Sequence, residues 1–162
     1  MTLEPLETAR LTLAPLSADL ARRLLSGDPH GLRAAEGWPQ EDTMDGLRMS
    51  VRRGHPPGWL VLREGAVIGD CGLHGLPDSR GAVEIGYGLA PGWRGRGLGT
   101  ELVGAITEWL LHEPGIRMVR ARTLPDNQAG RRVLEKAGFR ERGTENGELL
   151  FELTSTMAES SS

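Results

Sequence analysis

The feature that most constrains this chain is a glycine-rich run, AVEIGYGLAPGWRGRGLGT, at residues 82–100. Apolar residues alternate from Ala82 to Leu89 and predict a strand, whereas the spacing from Gly99 to His112 predicts an amphipathic helix. The connection between them is rich in glycine, which tolerates positive φ and lets backbone N–H groups converge on one object. Such a turn at a helix N-terminus favours a phosphate group, and a connection without any ligand is an equally open interpretation.

Two familiar phosphate motifs do not fit this turn. A Walker loop ends in Gly-Lys-Ser/Thr, but Gly99-Thr100 contains no lysine, so ATP hydrolysis is disfavoured. A dinucleotide fingerprint needs G-x-G-x-x-G and an acid about 20 residues further on. Here the glycines fall at alternate positions, and the next strand, Arg120 to Leu124, carries no acid.

The remaining pattern predicts an α+β fold with a mixed sheet. Three strands in succession, the first two joined by a short Glu64-Gly65 turn, indicate an antiparallel meander. The strand-helix-strand step that follows predicts a parallel crossover. The expected strands cover residues 10–15, 59–63, 66–73, 82–89, 118–124, 139–142 and 148–153, and the expected helices cover 17–25, 41–53, 99–112 and 127–137.

Composition indicates one globular domain. The 162 residues are 38% hydrophobic and 25% charged, and no apolar run reaches the ~18 residues of a membrane helix. We expect a single domain over residues 1–154 and a disordered polar tail over 155–162. The acidic first residues are unlike a signal peptide, so a cytoplasmic location is expected. Disulfide and metal chemistry are disfavoured, because Cys71 is the only cysteine and no ligand spacing relates His30, His55, His74 and His112.

Charge is distributed unevenly along the chain. Residues 1–93 hold nine basic against twelve acidic side chains, residues 94–142 hold ten against six, and residues 143–162 hold none against four. The basic middle segment can meet a polyanion such as a nucleotide, and a solvated basic face is the alternative. The net charge of −3 gives no reason to expect nucleic-acid binding.

The run Arg94-Gly-Arg-Gly-Leu-Gly99 resembles the R/Q-x-x-G-x-G/A signature of the GNAT superfamily of N-acetyltransferases. Three further segments resemble the RimJ/RimL-like branch of that family in the same order: LETARLTL at 6–13, IGDCGL at 68–73 and DNQAGRRVLEKAGF at 126–139. The resemblance implies a GNAT fold, in which two central parallel strands splay apart and acetyl-coenzyme A lies in the cleft. It implies direct acetyl transfer to a primary amine, a protein N-terminus or a small molecule, in a ternary complex without metal. The alternative is a coenzyme A-binding protein of this fold without turnover.

The same resemblance implies how the cofactor is held. The pyrophosphate would lie on the glycine turn, and the pantetheine arm would pair with the preceding strand as an added strand. The implied contacts are the backbone of Tyr87 and Leu89, the amides of Gly95, Gly97, Gly99 and Thr100, and the side chains of Arg94, Arg96 and Asn127.

Two positions depart from the family pattern. Gly130 replaces the serine of an N-x-x-S motif, which removes one hydroxyl contact to the cofactor. Leu134 stands where many members have a tyrosine that protonates the leaving thiolate. Water can reprotonate a thiol whose pKa is near ~8.5, so these departures leave turnover possible.

The acetyl acceptor also needs a base, because alkyl amines are mostly protonated near neutral pH. Strand alternation places Glu84 on one face with Gly86 and Gly88, where a ligand can come close. Members of the family often have a glutamate near this point, and Glu84 is our predicted catalytic base. The alternative is a structural carboxylate paired with an arginine.

The acceptor is expected at the loop and second helix that precede the meander. Trp38 would line the acceptor site or anchor the core. Four acids, Glu36, Glu41, Asp42 and Asp45, would attract a cationic amine, or the last three would complement the dipole of their own helix. The partners implied are therefore coenzyme A and an amine, with no nucleic acid or membrane, on a monomer or homodimer.

Overall fold

The computed structural model describes residues 1–28 and 31–155. His30 and residues 156–162 of the expected tail lie outside the described residues. The strands are β1 (Leu6–Glu7), β2 (Thr12–Pro15), β3 (Gly58–Arg63), β4 (Ala66–Leu73), β5 (Ala82–Leu89), β6 (Met118–Thr123), β7 (Arg140–Glu145) and β8 (Glu148–Thr154). The helices are α1 (Ala18–Leu25), α2 (Glu41–Arg53), α3 (Leu98–His112) and α4 (Gln128–Lys136), and a 3₁₀ turn (Pro91–Trp93) precedes α3.

These elements form one mixed sheet in the order β1-β2-β3-β4-β5-β6-β8-β7. Strands β5 and β6 are parallel, and every other neighbouring pair is antiparallel. The parallel pair is possible because α3 carries the chain back across the sheet. The predicted α+β fold, its antiparallel meander and its parallel crossover are confirmed.

Local sequence explains where these elements begin and end. Ser17 caps α1 by accepting a bond from the Leu20 N–H, and Gly54 ends α2 in the left-handed conformation. Glu64 and Gly65 both have positive φ, 52° and 80°, which matches the turn that joins a two-residue hairpin. The β3–β4 hairpin is therefore the one predicted from the sequence.

The two faces of the sheet differ in chemistry. Val83, Ile85 and Leu89 point into the main core and are 2%, 1% and 8% exposed, with apolar side chains of α3 and α4 packed on the same side. Glu84 lies on the opposite face, as strand alternation predicts, and that face looks toward α2. A second, smaller core packs α1 and α2 on this opposite face and includes Leu60 of β3 and Val67 of β4. Both faces therefore contribute to stability, and the polar part of the second face, around Glu84, is available for chemistry.

Cys71 is a buried core residue, and burial raises the pKa of its thiol well above the ordinary range. Within residues 1–28 and 31–155, no cluster of three or more potential metal ligands is found. The described helices include none that is both long and apolar enough to span a membrane.

Candidate active site

Strands β5 and β6 separate in the middle of the sheet. Their pairing ends at Ile85 and Ala121, although β5 continues to Leu89. The carbonyl of Glu84 bonds on the β4 side, so strand alternation turns the backbone of Tyr87 toward the gap. A strand edge left open in this way can pair with an extended partner.

The glycine turn begins just beyond the end of β5. Gly95 and Gly97 have φ values of 76° and 78°, and Gly97 directly precedes α3. The amides of Gly99 and Thr100 lie in the first turn of α3, where a helix has no internal acceptor for them. The turn therefore combines available N–H groups with the positive end of a helix dipole, which suits an anion.

The two arginines of the turn are bonded within the turn itself. Arg94 Nε donates to the Leu89 carbonyl over 3.1 Å, so a side chain occupies that backbone acceptor. Arg96 Nη2 donates to the Gly92 carbonyl over 3.1 Å, and its guanidinium carbon lies 4.9 Å from the centroid of the Trp93 ring. Both contacts stabilise the conformation of the turn and keep the two guanidinium groups next to it.

Hydrogen bonds from the N-terminal segment support this turn, and no sequence pattern predicted them. Arg10 Nη1 donates to the Arg96 carbonyl over 2.9 Å, and Arg10 Nε donates to Glu101 over 2.8 Å. The Thr8 hydroxyl donates to the same Glu101 carboxylate. These partners lie about ninety positions apart in the chain, with separations of 91 and 93 for the Glu101 bonds, so no local pattern reveals them.

A cavity of about 440 Å³ opens where the polar face of β4, β5 and β6 meets α2 and the start of α4. Tyr87 and Asn127 line it, and so do the glycines Gly86 and Gly88, which leave room beside the strand. Its lining is mainly acidic, with the carboxylates Asp42, Asp45, Asp70, Glu84 and Glu148 against the basic side chains His74 and Arg122. A cationic ligand suits such a lining.

Glu84 stands at the centre of a hydrogen-bonded cluster in this cavity. His74 Nδ1 lies 2.9 Å from Glu84 Oε2, and Arg122 Nε donates to Glu84 Oε1 over 3.0 Å. The hydrogen bond from His74, followed by that from Arg122, holds the pKa of Glu84 below its usual value despite partial burial. The carboxylate is thus ionised and paired, which makes it a weaker base than the sequence suggested.

Asp70 is a buried carboxylate on the same face of the sheet. Trp38 Nε1 and the Thr43 hydroxyl both donate to Asp70 Oδ2, over 2.9 and 2.6 Å. Burial raises the pKa of Asp70. Trp38 is 8% exposed and lies outside the cavity lining, so it ties the loop before α2 to β4 as an anchor.

The acids of α2 fall into two groups. Asp42 and Asp45 line the cavity, and Asp45 also pairs with Arg48 over 2.8 Å. Glu41 is exposed in the first turn of α2 and lies outside the cavity lining. Of the three α2 acids predicted to meet the acceptor, Asp42 and Asp45 face the cavity and Glu41 does not.

The start of α4 closes the far side of the cavity. Asn127 caps α4 by accepting a bond from the Gly130 N–H over 2.9 Å. The Tyr87 hydroxyl approaches the Gly130 carbonyl at 3.5 Å, and burial raises the pKa of this phenol, so it stays protonated. Leu134 is fully buried in the main core.

Thr123 offers a hydroxyl beside the position where the family pattern has serine. A Cβ on Gly130 would lie 2.7 Å from Asn127 Nδ2 and 2.9 Å from Thr123 Oγ1, so a side chain there would have to displace one of these polar groups. Thr123 is 7% exposed, lines the cavity, and its hydroxyl has no hydrogen-bond partner among the described residues. The Thr123 hydroxyl is therefore available to hydrogen-bond a group that enters the cavity.

The structure thus collects part of the predicted site into one cavity. Glu84, Tyr87, Asn127 and Asp45 line it, and the glycine turn follows at the end of β5. Sequence reasoning missed several lining residues, namely His74, Asp70, Arg122 and Thr123. Strand alternation places Asp70 and Arg122 on the Glu84 face, because they occupy positions of matching parity in the neighbouring strands, and this signal could have revealed them.

This arrangement of splayed parallel strands, glycine turn and cavity defines an acetyltransferase of the GNAT type. The model of the acetyltransferase (GNAT) domain matches residues 10–140, and the chain belongs to that family. It is similar to the uncharacterized N-acetyltransferase YjdG of Bacillus subtilis, with 26% identity over 148 residues that cover 83% of this chain and 88% of that protein.

Solved structures show the same fold at low identity. A ribosomal-protein alpha-N-acetyltransferase, RimL, in complex with coenzyme A superposes with a TM-score of 0.69 at 19% identity, over 93% of this chain and 98% of that one. Mycobacterium smegmatis RimJ in complex with a coenzyme A disulfide gives a TM-score of 0.63 at 23% identity, over 91% and 83%. The protein is therefore an N-acetyltransferase by its family, and these structures show that it shares the fold.

Proposed function

We propose that this protein transfers an acetyl group from acetyl-coenzyme A directly to a primary amine, and that it belongs to the RimJ/RimL-like branch. The observation that carries the proposal is the gap between β5 and β6, which opens into an acidic cavity and ends at the glycine turn. An extended, anionic cofactor and a cationic acceptor can approach one point from opposite sides of this gap.

The residues around the gap fit the cofactor. The amides of Gly97, Gly99 and Thr100 would hold the pyrophosphate, with the charges of Arg94 and Arg96 beside them. The backbone of Tyr87 would pair with the pantetheine arm, and Leu89 would contribute less because its carbonyl already accepts from Arg94. When bound, acetyl-coenzyme A supplies an acetyl thioester, and the protein's part is to position the amine and take its proton.

The acceptor side favours a positively charged amine. Asp42, Asp45 and Glu148 bring negative charge to the cavity, and they would raise the local concentration of an ammonium group. A protein N-terminus and a small-molecule amine both fit this description. Asp70 and Trp38 would support the acceptor side indirectly, by fixing the loop that carries α2.

Two measurements test the function together. Calorimetry with coenzyme A should show binding, and thiol release should appear with at least one member of a panel of peptides, amino sugars and polyamines. Coenzyme A binding without thiol release across the panel would instead support the alternative, a binding protein without turnover. Absence of coenzyme A binding would contradict the proposal altogether.

Thr123→Val tests the fit of the cofactor to the cavity. Because the hydroxyl of Thr123 is buried without a partner, its replacement by an isosteric methyl should raise the free energy of unfolding by roughly 1 kcal/mol. The same change should weaken acetyl-coenzyme A binding by about 3- to 10-fold, since one hydrogen bond is worth about 0.5–1.5 kcal/mol. Urea unfolding and calorimetry measure the two effects, and Thr123→Ser, which keeps the hydroxyl, should retain the affinity. Unchanged affinity in Thr123→Val would show that the hydroxyl does not contact the cofactor.

Asp42→Asn tests the charge of the acceptor site. For a cationic acceptor, loss of this cavity carboxylate should raise KM several-fold, and the effect should shrink as salt rises. Glu41→Gln is the matched comparison, because both acids lie in the first turn of α2 but only Asp42 lines the cavity. If KM changes equally in the two variants, these acids affect activity only because they stabilise α2.

A further inference from the structure

We propose that His74 is the catalytic base of this enzyme and that Glu84 positions it, so that the two act as a dyad at the opening of the gap. This inference rests on the proposed function. It assigns the proton-accepting role to a histidine that lies just after β4, in place of the carboxylate that the sequence singled out.

The geometry of the pair orients the ring. Glu84 is ionised and can only accept hydrogen bonds, so the proton between Glu84 Oε2 and His74 Nδ1, 2.9 Å apart, belongs to Nδ1. The neutral imidazole is then held in the tautomer whose Nε2 carries a free lone pair. The other Glu84 oxygen accepts from Arg122, which in turn bonds Glu145, so the carboxylate is fixed from both sides.

The free nitrogen lies where the reaction would take place. A Cβ on Gly86 would lie 2.7 Å from His74 Nε2, so the ring rests over a position that only glycine leaves open. Gly86 is also the first residue of β5 beyond Ile85, where pairing with β6 ends. The His74 side chain is 34% exposed and lines the cavity, so an amine can reach it.

The charges around His74 come from every side of the cavity. Glu84 faces it from β5, Arg122 from β6, and the further carboxylates that share the cavity are Asp70 on β4, Asp42 and Asp45 on α2, and Glu148 on β8. Acids outnumber the single arginine in this lining, so the charge of the cavity suits an ammonium acceptor beside the ring.

Both protons that the acceptor loses have a destination when His74 is the base. An ammonium acceptor must lose two protons to become an amide. His74 Nε2 accepts the first, which frees the nitrogen lone pair to bond the acetyl carbonyl carbon, and then passes it to solvent. The C–S bond breaks with its electron pair on sulfur, and the second proton ends on that sulfur.

Replacement of His74 tests the base directly. His74→Gln should lower kcat by about 10²- to 10⁴-fold and remove the acidic limb of the pH–rate profile, with little change in coenzyme A affinity. The matched control is His112→Gln, at the exposed end of α3 and outside the cavity lining, which should leave both unchanged. If the wild type turns over an amine and His74→Gln keeps its rate and its acidic limb, the dyad is wrong while the proposed function stands.

Two further readouts separate positioning from structural support. Nitrogen-15 NMR of the protein without cofactor should show the neutral His74 ring protonated at Nδ1. In Glu84→Gln this preference should weaken, because an amide can donate a hydrogen bond as well as accept one. Gly86→Ala should lower kcat because its Cβ would push the ring away. Gly104→Ala, in α3 and outside the cavity lining, has nothing within 4 Å of the added Cβ and should not lower kcat. A ring protonated mainly at Nε2 would overturn the dyad. If the wild type releases no thiol with any amine, the proposed function is wrong, and so is the assignment of His74 as the base.

Discussion

Gly97→Val should abolish coenzyme A binding and leave the protein folded. Gly97 has a φ of 78° and stands directly before α3, where the amides of the turn converge. A β-branched residue resists this conformation at a cost of about 1–2 kcal/mol or more, and its side chain fills the space that a pyrophosphate needs. The nearest atom to a Cβ there is Arg10 Nη2 at 3.4 Å, the end of a flexible side chain, so the core is undisturbed.

A second glycine supplies the control for this prediction. Gly115 has a φ of 86° between α3 and β6, with nothing within 4 Å of an added Cβ. Gly115→Val should therefore lose similar stability by thermal unfolding but keep its coenzyme A affinity by calorimetry. Wild-type affinity in a folded Gly97→Val protein would remove the glycine turn from the binding site.

Glu84→Gln should lower turnover by about two to four powers of ten, with coenzyme A affinity little changed. A neutral amide at this position no longer stabilises the imidazolium of His74, and general-base assistance is commonly worth ~10² to 10⁴. Loss of an orienting carboxylate behind a catalytic histidine has an effect of that size in other enzymes, about 10⁴. Steady-state kinetics with any accepted amine measures the change.

Glu145→Gln is the control for the loss of an ion pair. Glu145 bonds the same Arg122, over 3.1 Å, but its side chain is 55% exposed on β7. Its replacement should leave kcat within a factor of about two, since exposed ion pairs contribute little. Equal losses in the two variants would assign the effect to the position of Arg122, and an unchanged rate in Glu84→Gln would return Glu84 to a structural role.

The sequence pattern predicted the position of Glu84 but not its chemical role. Glu84 was predicted on the correct face of β5, because side-chain alternation is a local property of a strand. Its partners, His74 and Arg122, come from other strands, and they decide whether the carboxylate takes protons or orients a ring. The pKa of a group depends on what surrounds it, so its role followed only from the three-dimensional contacts.

Gly130, at the start of α4, also depends on a contact that the sequence motif does not include. From the sequence, Gly130 meant a missing hydroxyl contact. In the structure the Thr123 hydroxyl lies beside Gly130, on the strand that runs into α4, so a hydroxyl is present close to where a serine side chain would stand. A motif that covers only the start of α4 does not include Thr123, seven positions earlier, whose hydroxyl lies at the same place.

Local and periodic information in the sequence determined the strands, the helices, the β3–β4 hairpin and the parallel crossover. Apolar spacing, capping residues and glycine turns act over a few residues, and the family pattern of the glycine turn extended that reading to acetyl transfer. Only the tertiary structure decided that Trp38 is an anchor, that Asp42 rather than Glu41 faces the cavity, and that His74 stands over Gly86 at the opening of the gap. Each of these depends on contacts between residues distant in the chain, where burial and neighbouring charge, rather than residue type, decide what a side chain does.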